Sequence, residues 1–308
     1  MMKGGRHLRS RGSARARRDF RTGLLFAMPW IIGFTVFVAY PIGASLYYSL
    51  CEFDGIRTPK WIGLANYRTM LLEDELFWRS LANTLYMVVI GLPIGMIVSL
   101  VIALLLNQRI RGMTFYRTLF YLPSITPIVA TSILWLWLFN PQIGLINILL
   151  ASIGVRDAPG WLTDPTWSKS ALIIMGLWGA GGSMVIYLAA LQDVPQALVE
   201  AAHLDGAGPI QAFRHVTVPM LSPVILFNLV MGLIGSFQYF TQAYVMTAGG
   251  PQDSTMFYAL HLFNRAFLDF RMGYASAMAW ALFIVTLACT AIVLRSSARW
   301  VYYAGEEA

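Results

Sequence analysis

The stretch that decides the fold is TGLLFAMPWIIGFTVFVAYPIGASLYYSL, which occupies residues 22–50 and contains no Asp, Glu, Lys or Arg. A helix needs roughly 20 apolar residues to cross the hydrocarbon core of a bilayer. The apolar region of a signal peptide is shorter than this stretch. The sequence therefore predicts a retained membrane-spanning helix over these residues.

Charge-free windows of spanning length recur along the rest of the chain. Hydrophobic residues make up 57% of the 308 residues and charged residues 12%, and the mean hydropathy is +0.62. These values lie far from the composition of soluble domains. The sequence predicts an all-α, polytopic bundle of six transmembrane helices, because five further windows follow the first: 80–108, 118–139, 170–192, 216–252 and 272–294.

Basic residues are concentrated before the first span. Eight of the 22 Lys and Arg residues fall in the first 21 positions: Lys3, Arg6, Arg9, Arg11, Arg15, Arg17, Arg18 and Arg21. A basic segment next to an apolar span fixes orientation toward the cytoplasm and attracts anionic membrane lipid, so we expect no nucleic-acid partner. The sequence predicts cytoplasmic termini, with a basic tail at 1–21, a membrane domain at 22–295 and a second tail at 296–308.

The predicted spans lack the side chains that most membrane chemistry requires. No window contains Asp, Glu, Lys, Arg or His, which argues against a proton-coupled pump and an intramembrane hydrolase. Cys51 and Cys289 have no metal-ligand spacing, and no Gly-x-x-x-x-Gly-Lys phosphate loop is present. We therefore expect no catalytic residue, no metal site and no cofactor bound by this chain, and energy for uphill transport must come from another protein.

Uncharged polar residues recur within the predicted fifth span. Asn228, Gly235 and Gln242 are seven residues apart, and Tyr239 falls on the adjoining part of the same helical face. Such a stripe suits hydrogen bonding between helices. It equally suits the lining of a path for a neutral, hydroxyl-rich solute, with aromatic faces supplied by Trp135, Trp137 and Trp178. Both interpretations stay open.

The loops also carry local structure signals. Gly144 to Gly154 predicts a short helix at the membrane interface, and Thr247 to Pro251 predicts a tight turn. The stretch from Gly63 to Tyr67 is typical of a surface loop with a short helix.

A polar island lies between the fourth and fifth predicted spans, at residues 193–219. Pro195 precedes a helix over Gln196–Leu204, Asp205-Gly206 ends it, and Pro209 begins a second short helix. The island therefore predicts a compact pair of helices that inserts into a groove on a partner. A well-capped connecting loop is the alternative.

The island also resembles a known motif. Glu200-Ala201-Ala202, Asp205-Gly206-Ala207, and then Phe213, Val216, Pro219 and Pro223 resemble the EAA motif of permease subunits of binding-protein-dependent ABC importers. Further matches resemble the maltose-type first permease of carbohydrate-uptake importers: Gly63-Leu64-x-Asn66-Tyr67, Asn83-Thr84, Leu122-Pro123, Gly144-Leu145-x-Asn147, Thr247-x-Gly249-Gly250-Pro251 and Gly273-Tyr274-Ala275-x-Ala277.

This resemblance implies a type I ABC importer permease in a bacterial or archaeal plasma membrane. It implies a second permease subunit, two ATPase subunits that hold ATP and Mg²⁺, and an extracytoplasmic solute-binding protein. The coupling residues that it implies are Glu200, Ala201, Ala202, Asp205 and Gly206.

The cargo that the resemblance implies is a sugar or related polyol. The same machinery carrying a non-sugar solute, such as a glycerophosphodiester, is the alternative, and a basic residue within the spans would favour it. A stand-alone facilitator or channel is a further alternative, which the island disfavours.

Overall fold

The chain folds into a bundle of membrane-spanning helices. The computed structural model describes residues 8–108, 110–155 and 157–302. Within these residues, four helices are long and apolar enough to cross a membrane, and two bent helix pairs qualify when each pair counts as one span. The prediction of an all-α bundle of six spans is confirmed. The tail residues 1–7 and 303–308 lie outside the described residues.

Each span is longer than its charge-free window or interrupted within it. The spans, with their short π-helical and 3₁₀ stretches, are Leu8–Phe34, Thr35–Ala39 and Tyr40–Ser49; Glu75–Tyr86, Met87–Gly91 and Leu92–Leu106; Met113–Tyr121, Leu122–Ile125 and Ile128–Leu138; Pro165–Trp178 and Gly181–Asp193; Pro209–Ala212, Phe213–Thr217 and Val218–Phe237; and Met272–Ser297.

Short elements connect the spans. They are strands Cys51–Glu52 and Lys60–Trp61, and helices Ala65–Leu72, Leu145–Ser152, Gln196–Leu204, Thr241–Met246 and Tyr258–Phe263, the last continuing as a π-helix over Asn264–Leu268. The predicted short helices at 144–154 and near Gly63 are present. The antiparallel strand pair was not predicted, because two residues per strand leave no alternating pattern in the sequence.

The fifth span corrects one prediction. Its helix ends at Phe237, residues 238–240 are not helical, and a separate helix begins at Thr241. The stripe predicted on one continuous helical face is therefore wrong: Asn228 and Gly235 lie before the break, whereas Tyr239 and Gln242 lie within or after it. Periodicity could not reveal the break, because uncharged residues continue through it without a proline.

The fourth span begins before its charge-free window, 170–192. Its helix begins at Pro165, where Asp164 Oδ1 accepts a hydrogen bond from Thr166 N at 2.8 Å. Lys169 therefore lies in the second turn of the span rather than in the preceding loop.

We call the end of the bundle that carries Gln196–Leu204 the coupling end, and the other the far end. One apolar core cluster, which includes Met184, Tyr187 and Leu221, lies toward the coupling end. Clusters around Trp135 and Phe257 and around Phe77 and Tyr258 lie toward the far end. Burial of such side chains stabilises each by roughly 1.5–3 kcal/mol.

The first span is the most exposed. Its residues from Tyr40 to Ser49 pack on the sixth span. By contrast, Phe26 is 84% exposed and Phe37 79% exposed. Side chains of this size need an apolar environment, which lipid or another subunit supplies.

A buried carboxylate joins three elements at the far end. Asp74 caps the second span by accepting from Phe77 N through Oδ1 at 3.1 Å. Its Oδ2 accepts from Tyr274 Oη at 2.6 Å, from His261 Nε2 at 3.0 Å and from Arg265 Nη2 at 3.5 Å. These contacts tie the second span to the sixth and to the connection before it.

Burial sets the charges in this network. Burial lowers the pKa of His261, and hydrogen bonding to Asp74 offsets only part of that effect. For Asp74, burial alone would raise the pKa, but the hydrogen bonds from Tyr274 and His261 and the charge of Arg265 outweigh it and hold the pKa below 3.8. An ionised carboxylate only accepts, so neutral His261 must carry its proton on Nε2.

The network predicts a pH-dependent stability. Because the folded-state pKa of His261 lies below its ordinary 6.5, unfolding takes up a proton as pH falls below 6.5, and the folded state loses stability there. Asp74 adds a further loss only below 3.8. We expect the thermal midpoint of the purified transporter to fall between pH 7 and pH 5, and His261→Gln to remove that fall. Parallel curves for the two proteins would contradict this assignment.

Candidate transport and coupling sites

We call the polar island at residues 193–219 the coupling loop. It contains a helix and a sharp turn. The helix Gln196–Leu204 begins after Pro195. Gly206 then adopts φ +88°, a left-handed conformation that costs other residues roughly 1–2 kcal/mol. Gly206 N donates to His203 O at 3.0 Å and Ala207 N donates to Ala202 O at 2.9 Å. These two bonds form a Schellman motif, which fixes the direction in which the chain leaves the helix.

The chain after this turn enters the fifth span after two non-helical residues, 207 and 208. Pro209 is the first residue of a helix whose preceding amide, Gly208 N, donates to Gln211 Oε1 at 2.9 Å. The predicted second short helix is thus not separate, since the helical segment Pro209–Phe237 is continuous. A single helical segment therefore runs from Pro209 to the break after Phe237.

The helix and the turn of the coupling loop are exposed. Glu200, Ala201, Asp205 and Gly206 are exposed, Ala202 is half-buried, and no residue of Gln196–Leu204 is buried. Leu204 is 89% exposed and Ile210 is 82% exposed. A surface that combines an acidic group, small residues and solvent-exposed apolar side chains is suited to docking of a partner protein.

A cavity lies where three spans are interrupted. The third span bends by 99° between Ile125 and Ile128, the fourth by 50° between Trp178 and Gly181, and the fifth stops at Phe237. Residues beside each break line one cavity of about 260 Å³. Interrupted helices are tolerated at membrane depth where other groups or a polar cavity satisfy the freed backbone.

The cavity lining is polar and uncharged. Tyr239 and Gln242 line it together with Pro123, Ser124, Thr126, Ile128, Thr131, Met175, Gly176, Trp178 and Gly179. Hydroxyl and amide groups supply donors and acceptors, and the ring of Trp178 supplies an apolar face. This combination matches a hydroxyl-rich solute.

The predicted path residues divide into two groups. Tyr239 and Gln242 reach the cavity, but Asn228 and Gly235 are not among its lining residues. Asn228 is buried and donates from Nδ2 to Val224 O of its own helix at 3.0 Å. Gly235 is exposed, with open space where a Cβ would lie.

The three tryptophans that were predicted to supply aromatic faces also differ in whether they line the cavity. Trp178 lines the cavity, and Trp135 is buried with its ring centroid 6.2 Å from that of Trp178. Trp137 is 53% exposed and lies outside the lining.

Sequence reasoning missed Ser124, Thr126 and Thr131. The signal that was available is the pair Pro123 and Pro127, because a break in a span brings neighbouring polar residues to the break. The sequence could not show which helices meet there.

Comparison with known proteins identifies the family. Residues 91–302 match the family model described as "Binding-protein-dependent transport system inner membrane component". The chain belongs to this family. It is a membrane permease and a transport subunit rather than an enzyme.

Individual relatives cover almost the whole chain. The probable ABC transporter permease protein YesP of Bacillus subtilis is 44% identical over 94% of this chain and 95% of its own length. The lactose transport system permease protein LacF of Rhizobium radiobacter is 38% identical over 84% of this chain and 87% of its own.

A solved relative has the same architecture. One chain of a bacterial alginate ABC transporter, in complex with an alginate pentasaccharide-bound periplasmic protein, matches with a TM-score of 0.80 and 26% identity. The match covers 92% of this chain and 96% of that chain. The permease architecture expected from the sequence is confirmed.

The cavity distinguishes the two halves of the predicted stripe. We expect Gln242→Leu to reduce uptake by the assembled transporter several-fold, because it removes an amide donor and acceptor from the lining. Asn228→Leu is the matched control, since its amide bonds within its own helix, and uptake should stay within about twofold of the unmodified transporter. Initial rates of uptake, normalised to the amount of assembled complex, measure both. Equal losses in the two variants would contradict the assignment of the cavity.

Proposed function

We propose that this permease imports a sugar or related polyol and that separate ATPase subunits drive it through the coupling loop. The observation that carries the proposal is the continuous helical segment Pro209–Phe237. It begins beside the exposed Schellman turn at Gly206 and ends next to Tyr239 at the cavity. At about 1.5 Å per residue, it spans roughly 40 Å between docking surface and cavity.

Each coupling residue has a physical role in this proposal. Glu200 pairs with an Arg or Lys of the ATPase, because its carboxylate is exposed and has no ion-pair partner among the described residues. Ala201 and Ala202 permit close approach. Asp205 and Gly206 form the turn that directs the docked helix into the fifth span.

The remaining partners complete an importer. We propose a second permease subunit, two ATPase subunits that bind ATP and Mg²⁺, and an extracytoplasmic solute-binding protein. The family description and the solute-loaded periplasmic protein in the alginate transporter support this assembly. The coupling end and both termini then face the cytoplasm of a bacterial or archaeal cell, where the basic tail contacts anionic lipid.

The transport cycle follows from this arrangement. ATP-driven closure of the ATPases moves the two coupling loops, and the continuous fifth span transmits the movement to the cavity. The cavity then opens alternately toward the two sides of the membrane.

A carbohydrate is the cargo that the cavity supports best. Its uncharged hydroxyl and amide groups with an indole face suit pyranose rings, and relatives named for lactose and alginate support that class. A glycerophosphodiester has no charged partner among the lining residues, because Lys169, which lies within the fourth span, is not one of them. A stand-alone channel would have no use for the exposed coupling loop.

Gly206 tests the coupling role. Gly206→Val forces a β-branched residue into the left-handed region and should reduce ATPase association and uptake several-fold. Gly206→Asn is the matched control, because asparagine tolerates the left-handed conformation. This variant should retain most of the ATPase association and most of the uptake. Co-purification of the ATPase is measured together with ATP-dependent uptake of radiolabelled neutral and acidic disaccharides into proteoliposomes.

Two outcomes would contradict the proposal. Full association and uptake by Gly206→Val would remove the coupling role of the turn. Saccharide uptake that proceeds equally without ATP would favour a facilitator.

A further inference from the structure

Lys169 is a charged side chain that lies within the spans and has no acidic partner among the described residues. Lys169 is half-buried in the second turn of the fourth span. Its Nζ donates to Asn83 Oδ1 at 3.1 Å and lies 5.1 Å from the centre of the Tyr86 ring. Among the described residues, no carboxylate lies within 4 Å of it.

The neighbours of Lys169 are fixed in place. Asn83 Nδ2 donates to Asp253 O at 2.8 Å and to Met256 O at 3.1 Å, so its amide oxygen must face Lys169. The carboxylate of Asp253 pairs with Arg79 at 3.3 Å. Asn83 and Tyr86 thus hold the ammonium group with neutral contacts that leave its charge uncompensated.

This arrangement leaves binding capacity unused. An ammonium group has three N–H donors, and the described residues accept from one. Removing a charge from water without a counter-ion is costly, which favours completion by an anion from outside the chain. The ring of Tyr86 adds a cation–π contact without neutralising the charge.

The helical position of Lys169 connects it with the cavity. Gly176 lines the cavity and lies seven residues after Lys169, so both share one face of the fourth span. At 1.5 Å per residue, Lys169 lies roughly 10 Å from Gly176 toward the far end. Lys169 is not among the residues that line the cavity, and it lies farther toward the far end than Gly176.

We propose that Lys169 binds an acidic group of the transported solute, which makes the cargo an acidic saccharide with a carboxylate on the sugar. The proposal rests on the function proposed above and narrows its substrate class. The carboxylate contacts Lys169, while the uncharged hydroxyls fit the neutral cavity beyond it.

The test uses the complete transporter with its own solute-binding protein in proteoliposomes. Two matched pairs of probes differ only in acidity: digalacturonate with galactobiose, and dimannuronate with mannobiose. We expect the transporter to import an acidic disaccharide from these pairs. We expect Lys169→Gln to raise its KM about tenfold or more, the loss typical of a charge-assisted contact, with a smaller change in kcat. Lys169→Arg should restore the KM to within a few-fold.

Other outcomes would overturn the proposal. Import of the neutral probes alone would exclude an acidic cargo but would leave the proposed sugar permease function intact. Import of none of the saccharides would contradict the acidic cargo and the sugar permease function together. Equal effects of Lys169→Gln on acidic and neutral probes would make Lys169 a tether between the second and fourth spans.

Two controls test whether the anion that binds Lys169 comes from lipid or from the partner permease rather than from the solute. The measurements are repeated in vesicles of phosphatidylcholine with and without phosphatidylglycerol, and an effect confined to vesicles with phosphatidylglycerol would assign the anion to lipid. Separation of the two permeases in Lys169→Gln would assign it to the partner chain. Either result would contradict solute binding.

Discussion

The pairing of backbone groups inside the membrane is the constraint on which this structure depends. A span can leave helical geometry only where other groups satisfy the freed amides and carbonyls. Three spans do so, at residues 126–127, 179–180 and 238–240, and all three breaks border one polar cavity. Concentrating the breaks at one place confines the unsatisfied polar groups to it. The same groups then become available to a hydroxyl-rich solute.

In the proposed mechanism, the continuity of the fifth span connects the coupling loop to this cavity. Its helix begins at Pro209, shortly after the left-handed turn at Gly206, and its last residue precedes the break that places Tyr239 at the cavity. A flexible joint between turn and span would absorb any displacement of the docking surface. No residue of the helix Gln196–Leu204 is buried, which leaves this surface available to a partner subunit.

The sequence predicted the parts of this architecture that local chemistry determines. The spans follow from the charge-free windows, and the turn at Gly206 follows from the glycine after a short helix. The break before Thr241 was not predictable because no charge or proline accompanies it. Ser124 and Thr131 were missed because their role depends on which helices meet. The charge-free window 170–192 excludes Lys169 from the fourth span, although Asp164 and Pro165 are typical of a helix start.

In the proposed mechanism the coupling loop controls access to the cavity, which can be measured as cysteine accessibility at position 242. In a transporter with Cys51 and Cys289 replaced by serine, Gln242→Cys is exposed to a membrane-impermeant thiol reagent from either side. Nucleotide-free and vanadate-trapped states are compared. We expect the reactive side to reverse between these states and Gly206→Val to abolish the reversal. Labelling from the same side at the same rate in both states would contradict it.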